Sequence, residues 1–152
     1  MIDKEPGHCR YTLRDATEAD RAFVLALWRE SLGELVKELF GKWDDVAADR
    51  NCAKKLNTGL QIIEVGDQAV GILHLSLEND WLSLNEIELV SENRNLGLGT
   101  QVLRDIQAYA DANKLNLELQ VLVTNRAVRL YERLGFKPTH TKMARLFIAS
   151  EE

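Results

Sequence analysis

The sequence has no long hydrophobic run. Its longest apolar stretch, Ala22 to Trp28, is far short of the ~20 residues that a membrane-spanning helix needs. Nor do its first residues, Met1-Ile2-Asp3-Lys4-Glu5, give a basic region followed by an apolar one, so no secretory signal is read and the expected location is the cytoplasm. A basic excess is also missing. With 19 Lys and Arg against 24 Asp and Glu, the formal net charge is −5, which argues against a nucleic-acid binder relying on a basic face. Cysteine is scarce: Cys9 and Cys52 form no CxxC and have no histidine at zinc-site spacing. Two reduced packing or surface thiols are therefore favoured over a disulfide, and no metal is expected. Internal repeats, low-complexity tracts and breaks in composition are absent as well, so nothing marks a second domain.

What is present is ordinary soluble-domain material. Hydrophobic residues make up 45% and charged residues 28% of 152 residues. A chain of this length buries roughly 70% of its unfolded surface on folding, enough for a self-sufficient core. One domain over residues 10–149 is expected, with flexible ends at 1–9 and 150–152.

Tyr11 to Arg14 reads as a short first strand. Thr17-Glu18-Ala19-Asp20 is a helix-start pattern, because the Thr hydroxyl can accept an orphan backbone N–H and acidic residues suit the positive helix end. Phe23, Leu27, Leu32, Leu35 and Leu39 keep helical spacing, with Gly33 or Gly41 as the break. A polar helix follows over about Asp44 to Leu56, and Gly59 is placed for a left-handed cap. Then the period changes. Leu60 to Val65 and Ala69 to Leu77 read as a hairpin turning at Gly66-Asp67, and after a turn at Glu78-Asn79-Asp80 a third strand covers Trp81 to Val90. Val102, Leu103, Ile106, Tyr109 and Ala110 stripe one face of a helix ending near Asn113. A strand over Leu115 to Val123, a short helix over Asn125 to Leu134 stopped by Gly135, and two closing strands around Pro138 complete the chain. The order β-α-α-β-β-β-α-β-α-β-β gives an α/β (α+β) fold, a mixed, largely antiparallel twisted sheet with helices on both faces. It contains one parallel crossover, whose loop sits where such folds usually place ligands.

That loop is Arg94-Asn95-Leu96-Gly97-Leu98-Gly99-Thr100. Two glycines spaced by one residue before a helix let backbone approach a ligand closely. The first-turn N–H groups have no intrahelical acceptor and can point at an anion, and Arg94 offers a forked donor. A G-x-G pair is equally at home in a structural turn. No Gly-Lys-Ser/Thr follows, which excludes a Walker loop, and Val102 stands where a dinucleotide fingerprint needs its third glycine.

Read as a unit, the second half of the chain is more specific. Arg94-x-x-Gly97-x-Gly99, followed after a helix and a strand by Asn125-x-Ala127-x-x-x-Tyr131-x-x-x-Gly135-Phe136, resembles the GCN5-related N-acetyltransferase (GNAT) superfamily. Its R/Q-x-x-G-x-G/A loop and Asn…Ala…Tyr…Gly-Phe segment both occur in order. The resemblance implies an acyl-CoA N-acyltransferase-like fold and an acetyltransferase that uses acetyl-coenzyme A as co-substrate. It implies that the strand before the loop splays from its neighbour, so that backbone at Glu88, Leu89 and Val90 binds the pantetheine arm. Backbone N–H groups of Arg94, Asn95, Leu96, Gly97, Leu98, Gly99 and Thr100 would hold the pyrophosphate. Asn125 would contact the cofactor arm, and Tyr131 would lie near the thioester sulfur. Asn95 departs from the glycine that many relatives carry.

The implied reaction is direct transfer of acetyl from the thioester to an amine in a ternary complex. The partners it implies are a small-molecule or peptide amine, with no nucleic acid and no membrane, and the family also admits a homodimer. Tyr131 would protonate the departing thiolate; without the motif it reads as a helix aromatic packed between Val128 and Leu134. Glu86 is the first choice for the base, against an exposed strand carboxylate in an ion pair. Glu86 and Glu88, two apart on a strand, share a face unless a bulge intervenes. His74 reads as a satisfied core histidine rather than a base, and His8 and His140 carry no motif. Trp28, Trp43, Glu30, Glu34, Asp44 and Asp45 fall where the family builds its acceptor wall, or else serve core and surface. Two other functions stay open: a non-catalytic coenzyme A-binding sensor with the same fold, and a phosphate-binding protein outside the superfamily.

Overall fold

The computed structural model of the protein describes residues 11–94, 96–122, 128–142 and 145–150. Its first half contains β1 Thr12–Asp15, α1 Arg21–Phe40, α2 Asp45–Leu56, β2 Leu60–Val65, β3 Gln68–Glu78 and β4 Trp81–Leu89. Its second half contains α3 Leu98–Ala112, β5 Asn116–Leu122, α4 Val128–Arg133, β6 Phe136–Lys142 and β7 Arg145–Ser150. Short 3-10 turns stand at Glu18–Asp20 and Ser91–Asn93. The hydrogen-bonded strand order is β1-β2-β3-β4-β5-β7-β6. β4 and β5 are parallel, whereas β1–β2, β2–β3, β5–β7 and β6–β7 are antiparallel, so the sheet is mixed and largely antiparallel as the pattern predicts. By packing, the chain divides into two compact units, residues 11–74 with 87–94, and residues 75–86 with the chain from 96 onward.

In the first unit, Thr17 starts the helical region as its chemistry suggests. Its hydroxyl accepts from the Ala19 N–H (3.3 Å), and the Asp20 carboxylate accepts from the Thr17 N–H (2.8 Å), a reciprocal capping box. Asp20 also takes a forked pair of bonds from the Arg14 guanidinium at 2.8 and 2.9 Å, which ties β1 to the helix start. The Arg14 bonds, aided by the Thr17 backbone, hold the Asp20 carboxyl below the usual carboxylate range. A lowered folded-state pKa gives stability that is fully present above the unfolded value, near ~3.9, and is lost as pH falls through the folded one. Because Arg14 is 41% exposed, the contribution is discounted to about 1–2 kcal/mol. Asp20→Asn should therefore lower the melting temperature by a few degrees at pH 7 and flatten its decline below about pH 4. An unchanged acid decline in the variant, read by thermal denaturation across pH, contradicts this assignment.

α1 runs through Gly33 and stops at Gly41, whose φ of 89° is left-handed and whose N–H bonds the Lys37 carbonyl. Of the two expected breaks, Gly41 is the real one. Asp44 caps α2 by accepting from the N–H groups of Val46 and Ala47. Val24, Leu27 and Trp28 of α1 pack with Cys52 of α2 and with Leu60, Ile62 and Ile72 of the sheet. Each such side chain contributes about 1.5–3 kcal/mol by leaving water. Ile62 and Ile63 are both fully buried, and burial is unbroken from Val70 to Leu75, so the sheet is covered on both faces here.

In the second unit, Leu82 and Leu84 of β4 stand opposite Leu117 and Leu119 of β5, all four buried. α3 packs against β5 and buries Val102, Leu103, Ile106 and Ala110, while Tyr109 of the same stripe stays half-buried. Pro138 lies inside β6, where the register with β7 shifts between Pro138 and His140. β6 is the sheet's outer strand, the position where a residue without an N–H costs no ladder bond on its open side. β7 pairs as far as Ser150, one residue beyond the expected domain limit. Among the described residues, no helix is long and apolar enough to cross a membrane, and no three His, Cys, Asp or Glu side chains gather as metal ligands would.

Candidate functional site

The parallel ladder between β4 and β5 runs from Trp81↔Asn116 to Leu84↔Leu119 and ends there, although β4 continues to Leu89 and β5 to Leu122. Ser83 donates to Glu118 Oε1 (2.7 Å) just before the ladder ends. One residue past it, Asn85 turns to Ser76 of β3 (3.0 Å). Glu86 and Glu88 are both half-buried, as is every position from Asn85 to Glu88, so burial does not divide this stretch into an inner and an outer face.

Downstream, α3 begins on Gly97, which sits in the left-handed region at φ 85°. A Cβ built there would meet nothing within 4 Å, so the glycine serves backbone conformation rather than space. No side chain caps the helix, and its first ladder bond joins the Gln101 N–H to the Gly97 carbonyl. The N–H groups of Leu98, Gly99 and Thr100 thus precede the ladder at the positive end of a 15-residue helix. Leu98 is buried and anchors the turn, while Leu96 is 70% exposed.

In the other unit, the end of β4 is fixed by backbone. The Val90 N–H bonds the Val70 carbonyl (2.8 Å), and the Val90 carbonyl accepts from Asn93 (3.0 Å). Both main-chain groups of Val90 are therefore engaged. Gly71 of β3 is what permits the close approach of the strand end: a Cβ at that position would lie 2.4 Å from the Glu88 carbonyl oxygen and 2.7 Å from Leu89 Cδ2. Nothing in the apolar periodicity singles out Gly71. The available signal was a glycine inside a strand pattern, which marks close backbone approach.

Arg94 folds back rather than outward. Its Nε donates to the Leu89 carbonyl (3.0 Å) and its Nη2 to Ser31 Oγ (2.6 Å). Tyr131, on α4, is 3% exposed and packs edge-on to Phe136 at 6.4 Å between centroids. Asn95 and Asn125 lie outside the described residues, as do Cys9 and His8.

His74 is buried, and its Nε2 lies 3.0 Å from the Thr58 carbonyl and 3.1 Å from Thr58 Oγ1. Since a carbonyl only accepts, Nε2 carries the proton in this arrangement, a structural use of the ring. Trp28 belongs to the core, with Lys55 Nζ 5.7 Å above its ring. Among the acidic candidates, Asp44 caps α2, Asp45 accepts from Arg29 and Trp43, Glu30 accepts from the Ser91 N–H, and Glu34 is exposed. Chemically, then, the chain offers a glycine-led helix start with N–H groups ahead of its first ladder bond, and a buried tyrosine.

Comparison with known proteins agrees with this arrangement. The model of the acetyltransferase (GNAT) domain family matches residues 31–149. Among solved structures, an acetyltransferase from Thermus thermophilus has a TM-score of 0.71 at 18% identity, covering 91% of this chain and 95% of that one. The PaiA N-acetyltransferase from Thermoplasma acidophilum, in complex with coenzyme A, has a TM-score of 0.70 at 15% identity, covering 94% and 99%. Naa50 of Arabidopsis thaliana, in complex with the bisubstrate analogue CoA-Ac-MVNAL, has a TM-score of 0.59 at 17% identity, covering 93% and 98%. At such identities these structures speak for the fold. No curated protein matches the sequence significantly. With most of its length matched by the family model, the chain belongs to the GNAT acetyltransferase domain family.

Proposed function

We propose that this acetyltransferase transfers acetyl from acetyl-coenzyme A to the amine of a small molecule or peptide, by direct attack in a ternary complex within a single domain. The observation that carries the reading is the start of α3: a left-handed glycine, no side-chain cap, and N–H groups ahead of the first ladder bond. Such an end suits a pyrophosphate. The donor fits the residues present, and when bound it supplies an activated acetyl group as a thioester. Solved relatives of the fold hold coenzyme A or a bisubstrate analogue of it, which supports the same donor here.

The roles follow position by position. Backbone N–H groups from Asn95 through Thr100 hold the pyrophosphate, the Arg94 N–H being engaged by the Ser91 carbonyl, and Asn125 meets the pantetheine arm. Glu88 and Leu89 offer strand-end backbone to the arm, and the N–H at Leu89 faces the thioester oxygen as it gains charge. Val90, its backbone already engaged, holds that strand end in place. An alkyl amine with a pKa near ~10.4 is almost wholly protonated at pH 7, so a base must take a proton, and Glu86 is assigned that step directly or through water. Phenols keep their proton at neutral pH, so Tyr131 is suited to protonate the leaving thiolate.

Acetyl-coenzyme A should protect the protein against heat, and thiol release should follow on part of an amine panel. Tyr131→Phe should lower turnover about 10–100-fold with acetyl-coenzyme A affinity nearly unchanged, and Glu86→Gln should abolish the acidic limb of the pH–rate profile. Equal loss of turnover and affinity in Tyr131→Phe would reduce that residue to packing against Phe136. Protection without release on any amine would instead identify a coenzyme A sensor.

A further inference from the structure

The segment leading from the end of β4 into the glycine loop is held from outside by one turn of α1. Ser91 opens the 3-10 turn Ser91–Asn93, and the residue before it, Val90, has no side chain able to cap it. The cap comes instead from α1, where Glu30 Oε1 accepts from the Ser91 N–H at 3.2 Å. At the far end of the turn, the Arg94 N–H bonds back to the Ser91 carbonyl (3.2 Å) while its side chain bridges two elements. Nε reaches the Leu89 carbonyl at 3.0 Å, and Nη2 reaches Ser31 Oγ at 2.6 Å, with Glu30 Oε1 4.0 Å from the same nitrogen. Adjacent residues of α1 therefore grip both ends of one short turn. The guanidinium, a rigid planar fork, fixes Leu89 and Ser31 relative to each other.

We propose that Glu30, Ser31 and Arg94 form a clip that positions the acetyl donor site, with Ser31 and Glu30 acting as positioning residues through Arg94 and Ser91. The proposal rests on the reading of Leu89 and residues 95–100 as the donor-binding segment. Under it, the Arg94 side chain is not a phosphate ligand. It sets where the Leu89 peptide lies, so it acts on donor binding without touching the donor. α1 thereby fixes the Leu89 end of the donor segment from its own surface, and a ligand that shifts the Glu30–Ser31 turn would change donor affinity.

The test is acetyl-coenzyme A titration by calorimetry at a temperature well below unfolding, with melting temperatures measured alongside. Ser31→Ala should weaken acetyl-coenzyme A roughly five- to tenfold, as expected for losing a bond to a charged donor that others partly hold in place. Ser31→Thr, which keeps the hydroxyl, should bind within about twofold of the parent. Arg94→Lys, a point charge that cannot span both partners, should weaken binding at least as much as Ser31→Ala, and combining the two should add little. A merely structural role predicts something else: a lower melting temperature with the dissociation constant unmoved. That result, or equal weakening by Ser31→Thr and Ser31→Ala, overturns the clip while leaving the donor-site reading intact. Absence of acetyl-coenzyme A binding by the parent protein overturns both.

Discussion

Gly71→Ala is expected to be among the most damaging single-methyl changes in the molecule. The added Cβ would sit 2.4 Å from the Glu88 carbonyl oxygen, 2.7 Å from Leu89 Cδ2 and 3.3 Å from Leu89 Cα. Two of these three atoms are backbone, so no side-chain rotation relieves the contact. The strand cannot simply retreat, because the next residue is tied by the Val90 N–H to the Val70 carbonyl (2.8 Å). Overpacking of this kind costs about 1–3 kcal/mol or more, a fall in melting temperature of roughly 2–12 °C for a chain this size. The functional loss should exceed the loss of stability, since the displaced atoms belong to the strand end assigned to the thioester. Gly33→Ala is the internal control. Gly33 lies inside α1, where a Cβ meets only Arg29 Cγ at 4.0 Å, so that change should be neutral or stabilising by up to ~1 kcal/mol. Equal melting temperatures and equal activities for the two variants would refute the close-approach account.

The second large effect is expected at Gly97. Its φ of 85° penalises any L side chain, and the empty space around its Cβ position means that the penalty is purely conformational. Holding alanine there costs about 1–2 kcal/mol, which the loop can escape by changing conformation. Either response turns the N–H groups of Leu98, Gly99 and Thr100 away from a common target. Donor affinity should therefore fall at least about tenfold in Gly97→Ala while the melting temperature drops only a few degrees. Asparagine tolerates the left-handed region better than alanine, and valine worse. Measured dissociation constants should accordingly rank Gly97→Asn tightest, then Ala, then Val. A ranking by side-chain size alone, with asparagine weaker than alanine, would show that steric contact with the donor, and not backbone conformation, decides.

Much of the fold was legible because local chemistry and the tertiary structure agree. Thr17 and Asp44 cap where capping residues should, Gly41 and Gly59 take the left-handed positions that end α1 and follow α2, and Gly66 turns the β2–β3 hairpin at φ 63°. The break in α1 was ambiguous because two glycines compete for it. Only Gly41 is followed by a capping aspartate and a new helix, whereas Gly33 is buried within a continuous one. Pro138 is a related case. A proline signals a turn unless its strand has an open side, and strand order is not a local property.

The candidate site was legible in part. Motif spacing singles out Gly97, which stands in the left-handed region at φ 85°, whereas Gly99 and Tyr131 enter the proposed site by the motif alone. It does not single out Gly71, Glu30 and Ser31, because their significance is a distance to backbone or side chain far away in sequence: Glu88 and Leu89 for Gly71, Ser91 for Glu30, and the Arg94 side chain for Ser31. Arg94 shows the same limit. Its charge suggests a phosphate, and its geometry directs it to the Leu89 carbonyl. Asp105 is a further case: a carboxylate 5% exposed on the buried stripe of α3, accepting from Gln101 at 2.9 Å, that no apolar periodicity anticipates.

The most direct measurement of the central claim is mass analysis of an amine and peptide panel after incubation with the protein and acetyl-coenzyme A, with free thiol followed in parallel. The account predicts that at least one amine gains a single acetyl group with one thiol released per product, and that Gly97→Val abolishes both. Donor binding with no acetylated amine in any sample, or acetylation undiminished in Gly97→Val, would contradict it.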